Sequence, residues 1–254
     1  MPDLLILEEA SCIRTDSVWP MLAKTPTNLL IVGDTCQLRP FHGDRVEEPS
    51  ILELLSRSGV AGFHLNKVYR CAPEIFRWSR RLFYPMAEAS KKPRVEISVG
   101  GQRVSLPPIL LVQCPETFIP ERVGTSFRNS QEASVVCNYA AKLKVDCTII
   151  SPYTAQLETL RNRGRGVAPV HSADSFQGAE ADAVLVSLVR RGPSAGFLDN
   201  SNRLNMIMTR AKLHIALFGD FYGLRAMPMW ENFVNLYSNR LTTVADLRMV
   251  KLLD

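Results

Sequence analysis

Nearly unbroken apolar runs recur along this chain: Leu4–Leu7, Leu29–Val32, Ile109–Val112, Cys147–Ile150, Ala183–Val189 and His214–Phe218. Each is short and bounded by polar residues or glycine. Runs of this kind, lacking polar alternation, suit parallel strands buried on both faces. Between several of them the apolar spacing becomes helical, at Ser50–Ser58, Pro73–Phe83, Ser130–Lys144, Ala155–Arg161 and Asn202–Ala211. Alternating strand and helix predict an α/β fold, a parallel sheet with helices on both faces.

Residues Lys91–Arg128 break the pattern. They contain Pro93, Pro107, Pro108, Pro115 and Pro120 and the Gly100-Gly101 pair, so loops and edge strands outside the core are expected there. A division is expected near residues 60–65, giving domains 1–62 and 63–254. The opening apolar run leads straight into Glu8-Glu9 with no basic segment before it, which reads as a buried strand and not as a signal peptide. A domain seldom starts inside its own sheet, so a chain cut short at its N-terminus is expected.

Composition adds little. Of 254 residues, 30 are basic and 25 acidic, for a net charge of +5, a mild excess that suits a polyanionic partner without establishing one. The six cysteines never form a C-x-x-C pair, which argues against a zinc knuckle or a disulfide framework and for reduced thiols in a cytoplasmic or nuclear protein. No apolar run reaches the roughly 18 residues of a membrane span.

Chemistry concentrates where the apolar runs end. Leu4–Ser11 (LLILEEAS) delivers two carboxylates from a buried strand, as nucleotide hydrolases do to hold Mg²⁺ and orient water. Leu29–Pro40 (LLIVGDTCQLRP) sets Gln37 after a Gly33-Asp34 turn, where its amide can sense a terminal phosphate. Arg70 precedes a helix whose Trp78, Phe83 and Tyr84 read as core. The segment Ala168–Val189 (APVHSADSFQGAEADAVLVSLV) gathers Ser172, Ser175, Gln177, Gly178 and Glu180 between two strands. Finally, Ser201–Lys212 (SNRLNMIMTRAK) carries Arg203 and Arg210 at the two ends of a helix; arginine aimed at a γ-phosphate stabilises transition-state charge. Singly, each also fits an ordinary solvated turn or helix face.

In order, these segments resemble motifs II to VI of superfamily 1 helicases in the up-frameshift-like branch, along with SPYTAQ at Ser151–Gln156. The resemblance runs from Leu4 to about Tyr237. It implies two RecA-like domains, a fragment of the first and a nearly complete second. It also implies ATP and Mg²⁺ as cofactors, single-stranded RNA or DNA as partner, and room for protein partners. By position, Glu9 matches the water-activating carboxylate and Glu8 the one that holds Mg²⁺ through water. Gln37 matches the γ-phosphate sensor, and Arg70 and Arg210 the two arginines reaching that phosphate. Gly178 and Glu180 match the motif V loop beside the nucleotide. Ser151, Tyr153, Thr154 and Ser172 match positions bordering the nucleic acid. Arg161, Arg163 and Arg165 could add to a basic groove.

Two departures qualify the resemblance. The family usually has Asp where this chain has Glu8, and Mg²⁺ demands tight octahedral geometry. None of the 14 glycines is followed by lysine, so the phosphate-binding loop G-x-x-x-x-G-K-[ST] is absent from these residues. The expectation is the C-terminal portion of an ATP-dependent helicase that does not turn over ATP alone. The alternative is a non-catalytic helicase-like scaffold for RNA or protein.

Overall fold

The computed structural model describes residues 3–22, 28–40, 49–60, 62–99, 101–194 and 196–253; Met1, Pro2 and Gly100 lie outside them. The chain forms two compact units, Met1–Leu65 and Asn66–Asp254.

In the first unit, β1 (Leu4–Leu7) and β2 (Asn28–Ile31) pair in parallel, with Leu4 opposite Asn28 and Leu7 opposite Ile31. Helix α1 (Thr15–Leu22) lies between them in sequence and α2 (Ile51–Arg57) follows. Helix α2 starts where it does because Ser50 and Glu53 form a capping box, each side chain bonding the other's backbone N–H. The core is small: Leu7, Ala10, Val18 and Ile51, with partly buried neighbours. Leu4, Ile6, Leu29, Leu30 and Val32 are between 41% and 56% exposed, far from the two-sided burial that their apolar runs predict.

The second unit opens with β3 (Lys67–Val68), α3 (Pro73–Leu82) and β4 (Glu88–Ala89), followed by the hairpin β5 (Glu96–Val99)–β6 (Gln102–Ser105). Strand β7 (Ile109–Gln113) and the hairpin β8 (Glu121–Val123)–β9 (Ser126–Arg128) come next. Then come α4 (Ser130–Lys142), β10 (Cys147–Ile150), α5 (Thr154–Arg163), β11 (Val170–His171), β12 (Ala181–Ser187), α6 (Ser201–Met208) and β13 (Ala211–Gly219). Helices α7 (Phe221–Leu224) and α8 (Pro228–Leu236), β14 (Leu241–Thr243) and α9 (Val244–Met249) complete it.

Six of these strands form one parallel sheet in the order β11-β10-β12-β13-β7-β14. Alternate residues divide between its faces. Ala183, Leu185, Ala216 and Phe218 join a core with α4 and α5, while Val184, Val186, Ile215 and Leu217 are fully buried outside that cluster. Both faces are therefore covered, as near-continuous apolar strands require. Trp78 of α3 packs edge-on against Phe83 and against Phe233 of α8, the core role expected for the aromatics of that helix.

Two further expectations need correction. The proline-rich stretch Lys91–Arg128 contains edge hairpins, and its apolar run Ile109–Val112 forms the buried strand read there, but the rest is not outside the core: Val95, Ile97, Leu106 and Phe118 join the main cluster. Its prolines sit before and after β7, where no ladder N–H is needed. The helix read as Asn202–Ala211 stops at Met208, because the Thr209 hydroxyl bonds back to the Asn205 and Met206 carbonyls and Ala211 already pairs with Ala181.

Candidate nucleotide and nucleic-acid sites

In the first unit, the polar groups sit at the carboxyl edge of β1 and β2, the usual ligand side of a parallel sheet. Glu8 is exposed and Glu9 half-buried. Glu9 has φ +51°, a left-handed backbone uncommon outside glycine and asparagine. The turn that imposes it is held by the Cys12 N–H donating to the Glu9 carbonyl and the Ala10 N–H donating to the Val32 carbonyl, at 2.9 and 3.0 Å. Backbone strain of this kind clusters at functional sites. Gly33 follows from the same turn: a Cβ there would lie 2.9 Å from both the Ala10 nitrogen and the Leu52 side chain, so only glycine lets the two loops approach. Asp34 then organises the loop that carries Gln37. It accepts from the Cys36 N–H and from the Gln37 side-chain amide, each at 2.9 Å. Adjacent carboxylates at a strand tip suit Mg²⁺, which takes one or two protein carboxylates with water and phosphate completing its shell. Among the described residues no group of three or more His, Cys, Asp or Glu could make a fuller protein cage.

In the second unit, the charged cluster lies at the opposite edge. The loop after β11 runs back along the sheet, so Glu180 precedes β12, and Arg210 and Lys212 flank the start of β13, all at the amino edge. The expectation that ligand groups gather beyond carboxyl ends does not hold for them. Glu180 accepts from Arg70 Nε at 2.6 Å and pairs with Lys212 Nζ at 3.0 Å. The bonds from Lys212 and Arg70 hold its carboxyl below the usual range, and Glu180 in turn raises Lys212. All three side chains are between 34% and 41% exposed, so the cluster is held in shape more than it is strongly stabilised. Gly178, at φ +78° with open space around it, is required by its backbone and not by packing. Arg210 differs from Arg70: it is 1% exposed, and its guanidinium donates to the Met206 and Ala179 carbonyls.

The residues expected to border a nucleic acid lie mainly at the carboxyl edge of β10. Ser151 is fully buried and donates to the Ser187 carbonyl at 3.1 Å. Tyr153 is 3% exposed; its ring meets Phe127 and Phe197, and its hydroxyl meets the Arg190 side chain. Thr154, at the start of α5, is exposed. Ser172 caps a helical turn, exchanging backbone-to-hydroxyl bonds with Ser175 at 3.0 Å each. Of the three arginines read as a basic stretch, Arg161 bonds the Val170 carbonyl and Arg163 the Ser134 hydroxyl, while Arg165 is exposed.

Four side chains escaped the sequence reading. Lys212 had a signal, two residues beyond Arg210 on the same strand, and Asp34 one in the turn before Gln37. Glu132 had none, since a glutamate on an amphipathic helix looks solvated, yet it is 1% exposed. Burial pushes its carboxyl up to about 7, against bonds from Ser187 and Val189 that lower it. Phe197, 55% exposed with the Arg203 guanidinium 5.5 Å from its ring, was hidden in a loop.

A family model described as an AAA domain matches residues 48–222, more than half of the chain. The human NFX1-type zinc finger-containing protein 1 is 30% identical over 254 aligned positions, covering 92% of this chain and 13% of that protein. The Drosophila melanogaster Regulator of nonsense transcripts 1 homolog is 29% identical, covering 85% of this chain and 20% of its own length. The chain thus spans a fifth or less of these two relatives. Among solved structures, the PRRSV helicase superposes with a TM-score of 0.52 at 18% identity, covering 87% of this chain and 36% of that one. An arterivirus helicase solved with DNA gives 0.51 at the same identity, covering 87% and 41%; both likenesses concern the fold. With the ordered motifs and the six-stranded parallel sheet, these matches show that the chain belongs to the AAA-domain family, as part of an up-frameshift-like superfamily 1 helicase.

Proposed function

We propose that this chain is the motif II-to-VI portion of an ATP-dependent helicase or translocase on single-stranded RNA or DNA. The observation that carries the reading is the Arg70–Glu180–Lys212 cluster beside Gly178 and Arg210, which gathers at one sheet edge residues spread over more than 140 positions of sequence. Residues 1–62 are the fragment of a first RecA-like domain and 63–254 a second; the exposed leucines and isoleucine of β1 and β2 fit a sheet that needs more covering than the described residues of the first unit supply. Glu9 would orient water for attack, Glu8 would hold Mg²⁺, and Gln37, fixed by Asp34, would sense the terminal phosphate. Bound Mg²⁺ would neutralise developing phosphate charge. Arg70 and Arg210 would supply positive charge to a bound phosphate, and Arg70 would leave Glu180 to do so. Ser151, Tyr153, Thr154 and Ser172 line the strand path, with Ser151 and Tyr153 acting from beneath its surface.

These 254 residues by themselves do not hydrolyse ATP, because no loop of theirs supplies a lysine and a backbone N–H cradle for the β- and γ-phosphates. The test compares the complete protein with the isolated chain. Strand-stimulated ATP hydrolysis is expected in the first and none in the second; turnover by the isolated chain at the complete protein's rate would refute its inactivity. The absent Gly-Lys dipeptide also favours a second reading, a non-catalytic scaffold for RNA or protein. A complete protein that binds single strands but neither binds nor hydrolyses ATP would establish that one.

A further inference from the structure

The end of β12 holds a strained turn with an unusual partner. Val189 has φ +68°, which in a β-branched residue is a steric outlier. The turn is three residues long, closed by the Arg190 N–H donating to the Leu188 carbonyl at 2.7 Å, a form that is rare because it is strained. Such a conformation persists only when its surroundings over-determine it. Here the Val189 N–H donates to Glu132 Oε1 at 2.9 Å, and the Ser187 hydroxyl donates to the same oxygen at 2.6 Å.

Glu132 is itself fixed from several directions. It occupies the first turn of α4, where the helix dipole favours a carboxylate. Its N–H donates to the Asn129 side chain. The Asn129 N–H donates to the Gln156 amide oxygen, and the Gln156 amide nitrogen donates to the Ser187 hydroxyl, at 2.8 and 2.9 Å. The network thus joins the SPYTAQ segment, the end of β12 and the start of α4. Its one strained product is the direction in which the chain leaves Val189. Arg191 goes inward, donating to the Pro115 carbonyl and facing Asp220. Arg190 goes the other way, half-buried, its guanidinium 5.0 Å from the Phe127 ring centroid and bonded to Tyr153. Gly196 closes over the same spot, where a Cβ would collide with the Tyr153 hydroxyl and Arg190 Nη1.

We infer that Arg190 is a phosphate contact of the single-strand surface and that Glu132, through the left-handed turn at Val189, is the positioning residue that aims it. This rests on the reading above that a single strand crosses the Ser151–Thr154 region. An arginine held by an aromatic face and a tyrosine hydroxyl is pre-organised, so its charge is presented to a phosphate with little ordering left to do.

The test uses the complete protein and a labelled unstructured oligonucleotide, with affinity measured across a salt series and folding checked by circular dichroism. Arg190→Ala is expected to weaken binding about tenfold and to flatten the log K against log salt slope by about 0.7, one phosphate on a single strand. Glu132→Ala should reproduce both effects, and the double variant should be no weaker than either. Glycine adopts positive φ freely, so Val189→Gly added to Glu132→Ala should bring affinity back to within about threefold of wild type. Any of four results overturns the inference: wild-type affinity in Arg190→Ala, wild-type affinity in Glu132→Ala, losses that multiply in the double variant, or failure of Val189→Gly to restore binding. If Glu132→Ala does not fold, the Glu132→Ala/Val189→Gly protein decides, since its failure to fold or to bind makes Glu132 a core residue and not an aiming device. Wild-type protein that binds no single strand removes the reading beneath and this inference with it; wild-type binding with any of the results above removes this inference alone.

Discussion

Two arginines with the same proposed role differ sharply in their surroundings. Arg70 is a third exposed and leans on Glu180, whereas Arg210 is almost fully buried and bonded to backbone carbonyls. On the proposed roles, alanine at either position lowers kcat of the complete protein by about 10³-fold. Stability separates them. Arg210→Ala leaves two carbonyls and a cavity behind and should cost about 2–4 kcal/mol, while Arg70→Ala should change stability by less than about 1 kcal/mol. Thermal denaturation beside steady-state ATPase checks both; a stable, inactive Arg210→Ala protein would mean the buried bonds are dispensable. Gly33 makes a simpler case. Gly33→Ala drives a methyl against the Ala10 nitrogen and Leu52, so loss of about 1–3 kcal/mol is expected, read as early melting of the first unit.

Among elements, α4 and β13 each carry a buried titratable group, and the two oppose one another. Glu132 in α4 is pushed up to about 7 by burial. Between the ordinary value of 4.5 and 7 the folded chain keeps a proton that the unfolded chain has lost, so stability falls as pH rises through that window. His214 in β13 is pushed down to about 4 by burial; its Nδ1–H donates to the Pro107 carbonyl and its Nε2 accepts from the Tyr139 hydroxyl. Between 6.5 and 4 the unfolded chain takes up a proton that the folded chain refuses, so stability falls as pH drops. The two slopes largely cancel between pH 4.5 and 6.5. Glu132→Gln keeps an acceptor oxygen but removes one slope. Relative to wild type its unfolding free energy should rise on the order of 3 kcal/mol from pH 4.5 to 8. His214→Gln should show the opposite trend at the acid end, and chemical denaturation across the pH range measures both. Parallel curves for wild type and Glu132→Gln would mean that Glu132 titrates normally.

For the whole molecule, the two units differ in what holds them. The second has a parallel sheet buried on both faces, while the first has, among the described residues, four buried apolar residues in its core and two strands exposing large side chains. Local stability follows buried apolar contact. Hydrogen exchange should therefore be slowest in β12 and β13 and faster by several orders of magnitude in β1 and β2, and equal protection would refute the distinction. Much of this architecture was legible in advance. The continuous apolar runs marked the central strands, because a strand covered on both sides has no polar face to alternate with. The roles proposed for Glu9, Gln37, Arg70, Glu180 and Arg210 came from the order of the motifs, because each segment taken singly also fits a solvated turn or helix face.

Local sequence was sufficient where a continuous apolar run meets a strand covered on both faces, as at Cys147–Ile150 and Ala183–Val189. It misled where the answer depended on distant neighbours. The prolines of Lys91–Arg128 looked like loop residues, yet Val95, Ile97, Leu106 and Phe118 among them join the main core. The candidate roles of Glu180 and Arg210 rested on the motifs, but their edge of the sheet was not readable, since the loop after β11 had first to run back along it. Glu132 was invisible, because only the meeting of α4, β10 and β12 takes a surface-like glutamate out of water and supplies it with donors. The types of chemistry were written in the chain, and tertiary structure decided which groups share an environment, because burial and charge pairing are properties of neighbours and not of residues.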